Sequence, residues 1–297
     1  MQRPHSTDSP SGFLYGVAAY GLWGVVPLYF RQVQHVPPTE LLAHRVIWST
    51  VLLVIILSAA RMWGELGRSL ATPRTRRTLL LTAILIAFNW YGYIYAATHD
   101  MLVEASLGYF IAPLASAALG VIVLRERLRR AQVMALALGA LGVTILTVQT
   151  RTLPWIALLL AGSFSLYGLF RKTVAAGALT GLTVESLLLL PLALGWAIRV
   201  QVNGSASFAH AGRTTDLWLL AGSVVTVLPL YCFAQAARRM RLTTIGFLQY
   251  LSPTAQLLLA VFVNDEPFHF AKLYGFAPIW LALALYSLDA AWAYRRK

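Results

Sequence analysis

Apolar runs long enough to cross a bilayer constrain this chain more than any motif does. Residues 12–30 carry no charged side chain, and neither do residues 105–124. A helix of about 20 residues rises about 30 Å, the thickness of a hydrocarbon core. Similar runs recur along the chain, between short loops that hold most of the charge. Apolar residues make up 58% of the 297 and charged residues 12%, against about a quarter charged in soluble domains. The fold class this implies is an all-α integral membrane protein, solvated by lipid.

Hydropathy places ten transmembrane helices, at 12–31, 40–61, 78–98, 104–124, 130–149, 154–170, 181–199, 216–237, 243–263 and 270–293. Residues 1–11 form a polar tail. The first span is longer than a signal-peptide core and lacks a small-residue cleavage site, so it is expected to be retained. Most connections are short, which makes successive helices antiparallel neighbours. The two longer ones are 62–77 and 200–215.

The formal net charge is +13, which invites a nucleic-acid reading. The basic residues are instead spread between apolar segments, as the positive-inside rule requires. Eighteen Lys and Arg fall on the side of the N-terminus and five on the opposite side, with Arg45 inside a span. This bias places both termini in the cytoplasm, with a lipid bilayer and no nucleic acid as partner. Cys232 is the one cysteine, which excludes intramolecular disulfides and cysteine-based metal sites.

One helix has an echo at half the chain length. Pro113 stands 13 residues before Glu126, and Pro253 stands 13 before Glu266, so the copies are 140 apart. Five spans in the first half oblige the second half to begin on the other side of the membrane. The expectation is two inverted five-helix repeats, residues 12–150 and 151–297. Inverted repeats recur in transporters, with the substrate site near the midplane between the halves.

Several runs also resemble a known family: His44-Arg-Val-Ile-Trp-Ser49, Asn89-Trp90, Glu104-Ala-Ser-Leu-Gly-Tyr-Phe-Ile111, Pro113-Leu114, Gly168-Leu-Phe-Arg-Lys172 and Gly246-Phe-Leu-Gln-Tyr250. Together they look like RarD proteins, the EamA-domain permeases of the drug/metabolite transporter superfamily. The resemblance covers nearly the whole chain, and its most specific part is residues 104–113. Many relatives carry Gly-Glu where this chain has Arg125-Glu126. The resemblance implies two EamA repeats, a bacterial inner-membrane permease and export of its solute. It supplies no physiological substrate.

Candidate site residues follow from chemistry and from the helices that line the superfamily's cavity. Tyr20, Trp23, Asn89, Trp90, Tyr93, Tyr109, Tyr167, Tyr231, Gln249 and Tyr250 all lie within spans. Rings give apolar walls with polar tips, and amides orient a ligand. The competing reading for some rings is an interfacial aromatic belt. Pro113 and Pro253 each remove a backbone donor near mid-span. They serve either as hinges or as static packing kinks. Glu104, Gly108, Ala112, Ser116 and Gly120 recur every four residues, and the small side chains of that row admit a close neighbour.

Ionisable groups inside spans are the coupling candidates, because the bilayer makes them costly. His44 can titrate, and Arg45 can meet a substrate carboxylate or phosphate; structurally, Arg45 can snorkel or tie to Glu104. Glu104 itself is either a proton site at the outer mouth or a carboxylate stabilised by its helix dipole. Glu185 can accept protons or can pair with Arg171 or Lys172. Glu126 is expected to stabilise a helix start. The six histidines show no metal-ligand spacing, and no phosphate-binding loop or nucleophile motif occurs. The chain is therefore expected to be no enzyme and to need no metal or cofactor. Its function reads as permeation of a small-molecule substrate around a central aromatic cavity, with proton coupling left open. The alternatives are a lipid flippase, which needs a groove open sideways, and a membrane sensor or accessory subunit, which needs no cavity.

Overall fold

The computed structural model describes residues 8–99, 101–150, 155–262 and 273–295. They form twelve helical segments: α1 Pro10–Gln32, α2 Pro38–Ala59, α3 Trp63–Ala71, α4 Pro73–Thr98, α5 Leu102–Ile122, α6 Arg130–Thr150, α7 Trp155–Thr173, α8 Ala178–Val202, α9 Arg213–Arg239, α10 Leu242–Gln249, α11 Leu251–Phe262 and α12 Leu273–Arg295. Among the described residues, α1, α2, α4, α8, α9 and Ala105–Ile122 of α5 are long and apolar enough to cross a membrane. Prolines open α1, α2 and α4, where the missing N–H costs no helical bond. Ser9 caps α1 by accepting from Gly12 N at 3.0 Å.

Two elements differ from the sequence expectation. The connection 62–77 holds a short helix, α3, whose Leu66 and Leu70 pack on Leu79, Val174, Ala176 and Val184. The span expected at 243–263 is two helices, α10 and α11, broken at Tyr250. Pro253 has no N–H, so the Gln249 carbonyl has no helical donor four residues on. The Tyr250 N–H bonds instead to Phe247 O at 3.2 Å, a tighter turn. Pro113 lies inside an unbroken α5, so the sequence echo is not an echo of shape.

The small-residue face of α5 is its contact face. A Cβ at Gly108 would stand 3.1 Å from Ala157 O of α7, and one at Gly120 would stand 3.1 Å from Thr243 N of α10. Glycine thus lets two backbones meet closely. Between these points Ser116 donates to Ser165 and to Gln249, at 3.1 and 3.3 Å.

Packing between the two halves is reciprocal. Helix α1 packs on α9 and α11, while α7 packs on α4 and α5; α2 packs on α9, while α8 packs on α4. Helices α2 and α8, α5 and α10, and α6 and α12 pair with each other across the halves. Leu14, Ile55, Leu192, Ile198 and Leu217 point outward and exposed, as side chains facing lipid must.

Candidate functional site

Between the helices lies a cavity of about 530 Å³, within the usual range for small-molecule sites of about 300–1,000 Å³. It reaches from the α1–α2 turn, at Val33, Gln34 and Val36, down to Tyr20 and Gln249. Seven of the sequence candidates line it: Tyr20, Trp23, Asn89, Trp90, Tyr93, Tyr109 and Gln249. Arg45 and Pro253 also line it. Trp23 meets Phe164 edge-on at 5.6 Å, and Phe30 stacks on Tyr93 at 6.4 Å. Asn89 anchors α4 to α7, donating to Leu160 O at 2.9 Å and Ser163 Oγ at 3.0 Å.

Three aromatic candidates sit elsewhere, because each spends its ring on helix packing. Tyr167 is fully buried and donates to Glu185 Oε2 at 3.0 Å. Tyr231 packs edge-on against Tyr15 and accepts from Gln235 at 2.6 Å. Tyr250 is buried in a second core with Leu107, Phe110 and Tyr286. Pro113 is buried with its carbonyl against Gly246 of α10.

Of the ionisable candidates whose side chains are described, only Arg45 reaches the cavity. Its Nε donates to Thr226 Oγ1 at 2.9 Å, and its guanidinium lies over Phe30 and Trp90 at 5.7 and 5.6 Å. His44 points away, 3.8 Å from Glu40 and with its ring tilted against Phe208 at 4.7 Å. Glu185 lies behind a wall shared with the cavity: Ile86, Trp90, Thr226 and Leu230 line both the cavity and the small void beside Glu185. Its carboxylate pairs with Arg171 at 3.3 Å and accepts from Thr82 at 2.7 Å. The side chain of Glu104, and all of Glu266, lie outside the described residues.

At the face bearing the N-terminus, polar contacts tie the helices together. Asp8 accepts from Arg241 N at 2.7 Å and from Thr244 Oγ1 at 2.8 Å, and pairs with the Arg241 guanidinium at 3.2 Å. Burial works against the Arg241 charge, but Tyr286, Asp8 and Glu126 more than offset it and raise its proton affinity. Lys172 donates to Met240 O. Glu126 does stabilise a helix start, but that of α10: it accepts from Leu242 N and Thr243 N at 2.7 and 3.0 Å.

Known proteins resemble this chain over nearly its full length. The RarD protein of Escherichia coli K12 is 43% identical, with 96% of each chain covered. The RarD protein of Salmonella typhi is also 43% identical, covering 96% of this chain and 97% of its own. The chain belongs to the RarD proteins. The family profile described as the EamA-like transporter family matches residues 10–148. A Bacillus subtilis protein named as the uncharacterized transporter YojE is 42% identical over 95% of both chains. A crystal structure of a protein 21% identical has a TM-score of 0.73 and covers 94% of this chain and 98% of its own, which speaks to the fold alone. As a RarD protein the chain is a membrane transporter of the drug/metabolite type, multi-pass in the bacterial inner membrane.

Sequence reasoning passed over Phe30, Phe164, Thr226, Ser252 and Gln256 of the lining. Ser252 and Gln256 have a signal: they flank Pro253 on the broken helix. Thr226 has none, since nothing in a run of Val and Thr tells which hydroxyl meets Arg45. Glu40 was also missed. It is buried at the start of α2 and accepts from Ser207 N and Phe208 N, at 2.7 and 3.0 Å, which ties down the α8–α9 loop.

Proposed function

We propose that this protein is a permease that moves a small organic solute by alternating access between two inverted five-helix repeats, residues 12–150 and 151–297. One observation carries the reading. An aromatic, amide-bearing cavity reaches the α1–α2 turn, and at the face bearing the N-terminus the Asp8, Lys172 and Arg241 contacts tie the described residues together. A carrier needs a central site with access from one side at a time. The reciprocal packing of the halves supports the two-fold relation. The charge bias supports cytoplasmic termini, which makes this the outward-open state.

Exchange between states requires the α9–α10 turn to part from residue 8 and the α1–α2 turn to approach α11. The break at Tyr250 and Pro253 lets α10 and α11 move separately. Export is the proposed direction, and it rests on the superfamily resemblance. One relative, from Pseudomonas aeruginosa and 32% identical, is named chloramphenicol-sensitive protein RarD, so drug-like solutes belong among the substrates to be tried.

The test is reconstitution into liposomes with a metabolite and drug panel, with and without an imposed pH gradient. Saturable flux that collapses in Asn89→Ala or Trp90→Ala supports the carrier. Flux of labelled lipid with none of any soluble solute sinks it in favour of a flippase. Dependence on the pH gradient identifies proton coupling, and its loss in His44→Ala or Glu185→Gln assigns the residue.

A further inference from the structure

Among the described residues the cavity wall is neutral except at one point. Of those lining it, Arg45 alone is charged. A guanidinium in a low-dielectric cleft is costly unless a counter-charge or hydrogen bonds compensate it. Here the described residues compensate it incompletely. Thr226 donates its hydroxyl proton to Gly222 O at 2.7 Å, so its lone pair is turned to Arg45 Nε at 2.9 Å. This fixes the guanidinium plane and uses its inner nitrogen. Phe30 and Trp90 add ring faces at 5.7 and 5.6 Å, which attract a cation without neutralising it.

The outer nitrogens hydrogen-bond no described residue. Glu40, five residues earlier on α2, spends Oε1 on the Ser207 and Phe208 N–H groups, and its Oε2 meets no donor among the described residues. The stem of Arg45 is seated as deliberately as its head: a Cβ at Gly222 would stand 3.2 Å from Arg45 Cγ and 2.5 Å from the Tyr29 hydroxyl. A planar, oriented guanidinium edge with no described carboxylate facing it, beside an aromatic chamber, matches a two-oxygen anionic head on an apolar body.

We propose that the ligand of this cavity is a small organic anion, its oxyanion head on the free edge of Arg45 and its apolar body against Trp23, Trp90 and Phe164. This rests on the reading of the cavity as the permease's substrate site. A cationic or neutral solute of the same shape is disfavoured because it leaves the guanidinium unpaired.

The experiment is binding to the full chain in nanodiscs at fixed pH, read by calorimetry and by the fluorescence of the lining tryptophans. The probes share one ring and differ in the head: phenylacetate, phenyl phosphate, phenylacetamide and 2-phenylethylammonium. At least about a tenfold preference for an anion over the amide is expected, with the ammonium weakest. The stronger of the two anions identifies the head, phenyl phosphate marking a phosphate and phenylacetate a carboxylate. In Arg45→Gln the anion advantage disappears while phenylacetamide binding persists, which shows that the chamber still folds; Arg45→Lys keeps part of the advantage. The native ligand series is decisive even if both variants fail to fold. The inference falls if the amide binds as tightly as the anions. It also falls if Arg45→Gln keeps the preference, or if anions bind only once Glu104→Gln has removed the carboxylate four residues before Gly108. Flux separates this from the carrier reading. An anion bound at Arg45 but never carried removes the permease and leaves the site; neutral solutes carried without anion binding do the reverse.

Discussion

Replacing Glu185 by leucine tests what the buried charge at the α4, α7 and α8 junction does. Arg171 is fully buried, and its guanidinium pairs with Glu185 at 3.3 Å. Beyond that it has the Ala178 and Gly177 carbonyls, at 3.1 and 3.4 Å. Glu185→Leu strands that charge, and breaking a buried pair from one side costs about 3–5 kcal/mol. At about 2 °C per kcal/mol for a chain this long, the unfolding midpoint in nanodiscs falls by about 6–10 °C. Arg171→Met strands the carboxylate and costs as much.

The double variant removes both charges and keeps the apolar volume. Thr82 retains its bond to Leu79 O at 2.9 Å, and only the Tyr167 hydroxyl is orphaned, for about 1–3 kcal/mol. The double variant therefore unfolds above either single one. A further coupling follows from Gly181, where an added Cβ would collide with Arg171 Nη1. Gly181→Ala lowers the midpoint in the parent chain and is tolerated beside Arg171→Met. Additive losses across the cycle, or a Glu185→Leu midpoint within about 2 °C of the parent, would falsify the ion pair as a structural tie.

Other perturbations probe the remaining joints. Gly246→Ala places a Cβ 2.6 Å from Pro113 O; overpacking of about 1–3 kcal/mol exceeds the propensity gain of about 1 kcal/mol, so thermal unfolding shifts down. The control is Gly195→Ala, where nothing stands within 4 Å, and it should not destabilise. Asp8→Ala removes three contacts from the seal. In a Cys232→Ala background, a cysteine placed at Ser252 should then react faster with a reagent supplied from the N-terminal face; an unchanged rate argues against that seal. Pro253→Ala supplies the donor that Gln249 O lacks, so α10 and α11 fuse and solute flux slows while the unfolding midpoint holds or rises. Flux at the parent rate would show that the break is not a hinge.

The membrane class was legible because bilayer thickness writes itself into run length. The helix at 104–124 was legible too, down to its small-residue face, since spacing by four maps directly onto one side of a helix. The break at Tyr250 was not. Pro113 and Pro253 look equivalent in sequence, yet α5 stays whole and its twin does not. A proline only removes a bond; neighbours decide whether the helix then opens. The helices containing Tyr20 and Tyr167 were readable, but ring direction depends on crossings that no local pattern records. One of these rings faces the cavity and the other faces a carboxylate.

The charged pair in α2 and α8 shows where such reading stops. The shift of 140 that aligns the two prolines also aligns Arg45 with Glu185, and Gly222 with Thr82. The structure puts matching contacts at these positions: Glu185 on Thr82 at 2.7 Å, and the Arg45 stem beside Gly222. Equivalent places in the two halves thus hold opposite charges in opposite circumstances. Glu185 has a guanidinium and two hydroxyls around it, so it is compensated from within. Among the described residues Arg45 has one hydrogen-bonding hydroxyl, two ring faces and no carboxylate, which is why the proposed ligand carries the counter-charge. Sequence can assign both residues to the costly interior of a membrane, but only the neighbours, drawn from helices far apart in the chain, decide which charge the described residues compensate and which they leave open.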